Sequence, residues 1–318
     1  MLILRFIVWM LSVVLMVLGA GVVSGQNYPN KPIRIITGAA GGGSDFGARL
    51  IAQGISGPLG QSVIVENRTA NTAPNIVNMA QPDAYTLLYA GTPLWTGPLL
   101  RKTTYDPVRD FAPITQVITS PNVLVVHSSV PAKSVKELIA LAKARPGALN
   151  YSSTGVGASN HLAMELFKSM AGVNIVHIPY KGGGPAFIGL LNNEVELGFV
   201  GTSLAAPYLK SEKLRILAVS SAEPSALAPG LPTVAASGLP GFESAILQGV
   251  FAPAKTPVTI IRRLNREIVQ VLNRPEVKEK FLNGDSQVVG NSPEEFMAKI
   301  KSEMARLGKV IKDNGIRE

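Results

Sequence analysis

Ile33-Arg34-Ile35-Ile36-Thr37 runs straight into Gly38-Ala39-Ala40-Gly41-Gly42-Gly43-Ser44-Asp45, and Phe46, Leu50, Ile51 and Ile55 follow at helical spacing. A β-branched run, a glycine-rich loop and an amphipathic stripe read as a strand turning tightly into a helix. Consecutive glycines let the backbone approach a ligand closely, and the helix start offers it N–H groups and partial positive charge. The layout recurs once. Leu149 to Ser152 reads as a strand and Ser152-Ser153-Thr154-Gly155-Val156-Gly157-Ala158-Ser159-Asn160-His161 as its loop; Leu162, Leu166, Phe167 and Met170 form the next helical stripe. Here Ser153, Thr154 and Ser159 add hydroxyls to the backbone donors. One such loop is explained by turn and cap chemistry alone. Two matched loops point to a site, because ligands of open α/β sheets bind beyond the carboxyl ends of the strands.

Outward from these loops, the pattern alternates. Further strands are expected at Ser62 to Glu66, Tyr85 to Ala90, Asn122 to His127, Asn174 to Ile178, Val195 to Val200 and Leu214 to Ser220. Ser134 and Glu137 form a capping box before Leu138, Ile139, Leu141 and Ala142; Thr256 and Pro257 open a helix striped by Ile260, Leu264, Ile268 and Val271. Ser292, Pro293 and Glu295 open the last helix, with Phe296, Ile300, Met304, Leu307 and Ile311 on one face. Alternating strands and helices imply an α/β fold with parallel sheets covered on both faces.

The chain of 318 residues is long enough for about two domains. With 46% hydrophobic and 16% charged residues it has the composition of a packed protein. No cysteine is present, which excludes disulfides, thiolate metal sites and a cysteine nucleophile. The net charge of +9 raises the question of nucleic acid, but the basic residues are dispersed. The densest group, Arg262, Arg263 and Arg266, shares its helix with Glu267 and has no interleaved aromatics, so it reads as a solvated face. The charge suits small anions.

Catalytic motifs are missing. Phe46 stands where a dinucleotide fingerprint starting at Gly41 needs a small residue, and neither a GK[ST] sequence nor a G-x-S-x-G elbow occurs. His127, His161 and His177 are not paired at metal-ligand spacing, so no metal or cofactor is expected. Asp45 reads as a first-turn capping group or a general base. His177 reads as a packed strand residue, and His161 as either a structural or a ligand-contact group. A hydrolase using Ser159 and His161 is the enzyme alternative; the expectation is no enzyme.

Residues 1–25 have the layout of a secretory signal: Arg5, the apolar run Phe6 to Leu18, then small residues, with cleavage expected after Ser24 or Gly25. An uncleaved anchor is the alternative, since Phe6 to Val23 is long enough to reach the lower limit for a span. No cysteine follows for lipid attachment.

Tyr28-Pro29-Asn30-Lys31-Pro32-Ile33-Arg34-Ile35, Ala40 to Asp45, Val65-Glu66-Asn67-Arg68, Pro82-Asp83-Ala84-Tyr85-Thr86-Leu87-Leu88 and Tyr105-Asp106-Pro107-Val108-Arg109-Asp110-Phe111-Ala112-Pro113 resemble the substrate-binding proteins of tripartite tricarboxylate transporters, also called Bug proteins. The likeness continues through Ser134 to Ile139, Ser152 to Leu162, Ile178-Pro179-Tyr180-Lys181-Gly182, Leu231 to Val234 and Gly238 to Phe242. It implies a two-domain periplasmic binding protein fold of type II-like architecture with the ligand cleft between domains. Domain 1 would comprise 26–122 plus 250–318 and domain 2 123–249, the C-terminal helices bracing domain 1 or the hinge. It implies a periplasmic, monomeric solute receptor that takes a small organic carboxylate, passes it to integral-membrane permease subunits and binds no nucleic acid. A subunit acting on a membrane sensor kinase is the alternative role.

Carried onto this chain, the ligand positions are Ala40, Gly41, Gly42, Gly43, Ser44 and Asp45 in the first loop, and Ser153, Thr154, Gly155, Gly157, Ala158 and Ser159 in the second; the residues themselves add His161. Thr92, Tyr180, Val200 and Thr202 complete the set, and Trp95 reads as either cleft wall or core. Three departures stand out. Thr37 and Gly38 replace the family's frequent Pro-Phe, Thr69 to Pro74 is shorter than its glycine-rich counterpart, and Val200 stands where many members have Asp. The last argues against an amino-acid ligand.

Overall fold

The computed structural model describes residues 28–69, 72–208 and 212–317; the expected export signal over residues 1–25 lies outside them. Strand β1 (Ile33–Thr37) pairs in parallel with β2 (Val63–Asn67) and β3 (Thr86–Gly91). Helices α1 (Gly43–Leu59) and α2 (Ala73–Asn78) make the two crossovers, and α3 (Pro93–Leu100) follows β3. The long β4 (Phe111–His127) leads to α4 (Val135–Ala144), β5 (Asn150–Ser153), α5 (Ser159–Ala171), β6 (Val176–Pro179), α6 (Gly183–Leu191) and β7 (Leu197–Gly201). Next come a short α7 (Thr202–Ala205), a 3-10 turn, β8 (Leu214–Val219), β9 (Ala245–Pro253), α8 (Val258–Leu272), α9 (Pro275–Asn283), β10 (Gln287–Val288) and α10 (Pro293–Asp313).

The strand order is β2-β1-β3-β9-β4-β7-β5-β6, with β8 and β10 also on β4. The expectation of purely parallel sheets is corrected here. β9 runs antiparallel to β3 and β4, and β7 and β8 run antiparallel to β4. Phe111 to Pro121 pairs with β9, whereas Asn122 to His127 pairs with β7 and β8, so one strand belongs to both halves. Only its second part was expected as strand. Pro113 and Pro121 hide the first part, because proline gives no N–H to a ladder and argues against a central strand. The register shifts between Pro113 and Thr115 and again between Gln116 and Ile118, which absorbs the break.

Each half has its own core. In the first, Ile33, Ile35, Ile51 and Ile55 pack with Leu264 and Ile268 of α8, and on the other sheet face Trp95, Phe251 and Phe296 cluster. Trp95 is therefore core, its Nε1 donating to Glu303 at 3.3 Å. In the second, Tyr151, Phe167, Phe199 and Phe242 are buried together. α10 crosses between them: Phe296 and Ile300 lie on the Trp95 cluster, Leu307 and Ile311 meet Leu100 and Leu162, and Val310 joins the second core. Ser292 and Glu295 close a capping box from both sides, whereas the expected box at Ser134 does not close fully. Ser134 accepts from Glu137 N, but the Glu137 carboxylate takes the Lys133 N–H at 2.8 Å, so that box is only half formed.

The β3-β9-β4 pairing requires glycine at one point. A Cβ at Gly249 would stand 2.6 Å from the Thr115 carbonyl oxygen and 2.6 Å from Phe296 Cζ, and the carbonyl cannot move without breaking the ladder. Gly249→Ala is expected to cost about 2 kcal/mol or more by overpacking, a melting temperature lower by roughly 5 °C. Gly308→Ala in α10, where a Cβ would make only ordinary contact with Leu99 at 3.6 and 3.9 Å, should leave the protein as stable or slightly more so. Equal melting temperatures for the two variants would contradict this packing.

Candidate functional site

The first loop turns at Ala39, whose carbonyl accepts from Gly42 N at 3.2 Å, with Gly41 in the left-handed region at φ 77°. α1 starts at Gly42 without a side-chain cap, so the donors of its first turn are not taken by side chains. Asp45 is buried under the loop. Its carboxylate accepts from Arg49 Nε at 2.9 Å, Asn67 Nδ2 at 2.8 Å and Gly41 N at 3.0 Å, and these bonds hold its pKa down at about 2. Asn67 Nδ2 also reaches the Gly38 carbonyl at 2.8 Å. Asp45 thus braces the loop as a buried anion, and Ala40 to Gly43 stand exposed above it.

The second loop is braced by acceptors instead. Gly157 N donates to His161 Nδ1 at 3.0 Å, and Asn160 Oδ1 accepts from both the N–H and the hydroxyl of Thr154. Ser153 Oγ lies 2.6 Å from His177 Nε2 and accepts from Gly155 N at 3.2 Å. His161 stacks on His177 with centroids 4.1 Å apart, and His177 on Tyr151 at 4.8 Å. Behind them the Tyr151 hydroxyl and Lys168 Nζ both donate to the buried Glu165 carboxylate at 2.6 Å. Burial, then the charge of His177, lowers the His161 pKa to about 4; burial lowers His177 as well. His161 is a neutral acceptor that shapes the loop. Its Nδ1 is occupied, and no hydrogen bond joins it to Ser159 among the described residues.

Two cavities of about 240 Å³ adjoin, sharing Ile246 of β9. In the first half, Gly38 and Ser44 of the first loop meet Ala73, Pro74, Leu88, Leu94, Arg101, Tyr105 and Gln248. In the second, Ser152, Thr154, Ser159 and Asn160 meet Gly183 at the start of α6, Val200, Phe187, Leu204 and Asn122. Neither α5 nor α6 has a side-chain cap, so both begin with open donors. Ser44, Thr154, Ser159 and Val200 are the expected residues that line these cavities.

Others are engaged elsewhere. Thr92 Oγ1 accepts from Leu247 N at 3.0 Å and ties α3 to β9. The Tyr180 hydroxyl donates to Glu194 at 3.3 Å, its ring against Gly189. Thr202 donates to Asp285, joined by Ser203 Oγ at 3.1 Å. Asn122, Ser152, Asn160, Ile246 and Gln248 line the cavities and were not expected to. Ser152 and Asn160 were within the quoted loop. Ile246 and Gln248 come from β9, which Gly249 and Pro253 disguised.

The chain matches the family model described as "Tripartite tricarboxylate transporter family receptor" over residues 47–316. It is 34% identical over 303 residues to Protein BugT of Bordetella pertussis, covering 93% of each chain. Among solved structures, R. palustris Rpa4515 with adipate is similar at 33% identity and a TM-score of 0.71, covering 91% of this chain and 99% of that one. A ligand-free TctC solute binding protein from Polaromonas is similar at 25% identity and a TM-score of 0.83, covering 90% and 99%.

The histidine brace makes the fold acid-sensitive in a definite direction. Folding depresses the His161 pKa from 6.5 to about 4, so its stabilising contribution is complete above pH 6.5 and is lost as pH falls through 4. Protonation would turn Nδ1 into a donor facing the Gly157 N–H. His161→Gln should melt below wild type at pH 7, with the gap narrowing as the pH approaches 4.5. A gap constant across that range would contradict the assignment.

Proposed function

The chain belongs to the tripartite tricarboxylate transporter receptor family, a family of substrate-binding proteins rather than enzymes, and from that premise we propose that it captures a small organic acid between its two halves. We assign it to the periplasm, exported by residues 1–25, and to the delivery of that acid to integral-membrane permease subunits. The halves would be 26–122 plus 250–318 and 123–249, closing about β4 and β9.

The observation that carries this reading is the set of helix starts at the cleft. α1 brings Ser44 to one cavity, α5 and α6 bring Ser159 and Gly183 to the other, and none has a side-chain cap. A carboxylate supplies the missing acceptor and is favoured by the partial positive charge of each end. The rest of the lining selects the body of the acid. Leu88, Leu94, Pro74 and Ile246 suit hydrocarbon, and Val200 offers an ammonium group no partner. A linear acid with an apolar chain fits better than a hydroxylated or amino acid.

A thermal-shift panel tests this. A ligand bound only by the folded state at a hundredfold excess over Kd adds about 2.7 kcal/mol, so adipate or glutarate should raise the melting temperature by roughly 5 to 10 °C. Malate and aspartate should do less, and dimethyl adipate almost nothing. In Ser159→Asp, which puts a negative group where the carboxylate should sit, the adipate shift should vanish while the fold survives, because Asp caps helices well. Equal shifts from the ester, or an unchanged shift in Ser159→Asp, would overturn the proposal.

A further inference from the structure

Asn122 lies where β4 leaves β9 and enters the second half. Its backbone is fixed: the N–H donates to Ser220 Oγ at 2.8 Å, the carbonyl accepts from Ser220 N at 2.8 Å, and the residue pairs opposite Gly201. Asn122 lines the second-half cavity with Ser159 and Asn160 and is 6% exposed. Its side-chain Nδ2 is buried and has no acceptor among the described residues.

Buried amide donors are nearly always paired, so an orphan at a cavity wall asks for an acceptor from outside the chain. Three other buried side-chain atoms among the described residues also lack a partner. Arg263 and Arg306 keep further N–H groups in hydrogen bonds, and the Tyr89 hydroxyl lies against Gly47 of α1. In the same cavity wall, Asn160 Oδ1 is occupied by Thr154. The terminal torsion of an Asn side chain is broad, so the amide can turn its N–H groups toward a solute in the cavity.

The geometry points to Asn122 as a ligand-binding residue, its side-chain amide donating to a carboxylate held at the start of α5. This rests on the carboxylate-receptor reading and adds a neutral, directional donor to a site otherwise built from helix ends. Its N–H groups donate to a carboxylate or carbonyl oxygen.

Two measurements on Asn122→Leu test it. Without added acid the variant should melt no lower than wild type, because an unpaired donor is replaced by an apolar side chain of similar size. In calorimetric titration with adipate, glutarate and malate it should bind the acid preferred by the wild type at least tenfold more weakly. Asn122→Ala guards against misfit of the larger side chain and should show the same loss; Asn122→Asp should show a larger one. Wild-type affinity in Asn122→Leu or Asn122→Ala overturns the inference, as does a melting temperature several degrees lower without acid in both, since that would reveal a partner inside the protein. If the wild type takes up none of the three acids, the receptor reading fails first, and the acid-free melting comparison still decides whether the amide is unpaired.

Discussion

Everything at the cleft depends on the antiparallel pairing of Phe111–Pro121 with Ala245–Pro253. These are the strands through which the chain passes from one half to the other and returns, and they lie side by side. Alternation along a strand sends Ile246 and Gln248 to the same face, at the junction of the two cavities. Gly249, one residue on, lets β9 fit against both Thr115 and Phe296. α10 then spans the same junction from the other side, with aromatic contacts at its start and aliphatic ones near its end. The strands are a natural place for bending, because little else in the backbone joins the two sheets.

The two loops reach similar ends by opposite chemistry. Asp45 holds the first as a buried carboxylate ringed by donors; neutral imidazole, amide and hydroxyl acceptors hold the second. In both cases the bracing groups satisfy the outer part of the loop and leave the following helix uncapped. A site fixed in this way before the solute arrives loses less conformational freedom on binding. Arg101 lines the first cavity, and neither lysine nor arginine lines the second.

Both loops, the helices behind them and most strands were legible in the sequence, because glycine runs, capping residues and hydrophobic periodicity are local signals. Ser44 and Ser159 could be named from those signals and from family likeness. The misses share a cause. Pro113, Pro121 and Pro253 argue locally against strands, yet all three sit in the connecting strands, where bulges and neighbouring chain segments override local preference. Residues on such strands come to the cleft through pairing with partners more than a hundred positions away, as Leu247 does with Thr119, so no window of sequence contains the information. Thr202 and Tyr180 show the converse. Their motif positions were readable, but their hydroxyls face Asp285 and Glu194, which only the tertiary structure reveals.

The central claim is that the halves close on an acid gripped between them, and a distance measured across the cleft tests it most directly. The chain has no cysteine, so spin labels can be placed cleanly at Gln53→Cys on α1 and Ser169→Cys on α5, both exposed positions. Pulsed dipolar spectroscopy with saturating adipate should show the distance between the labels shortened and its distribution narrowed relative to the acid-free protein. An unchanged distribution in a sample shown by titration to have bound adipate would contradict the account.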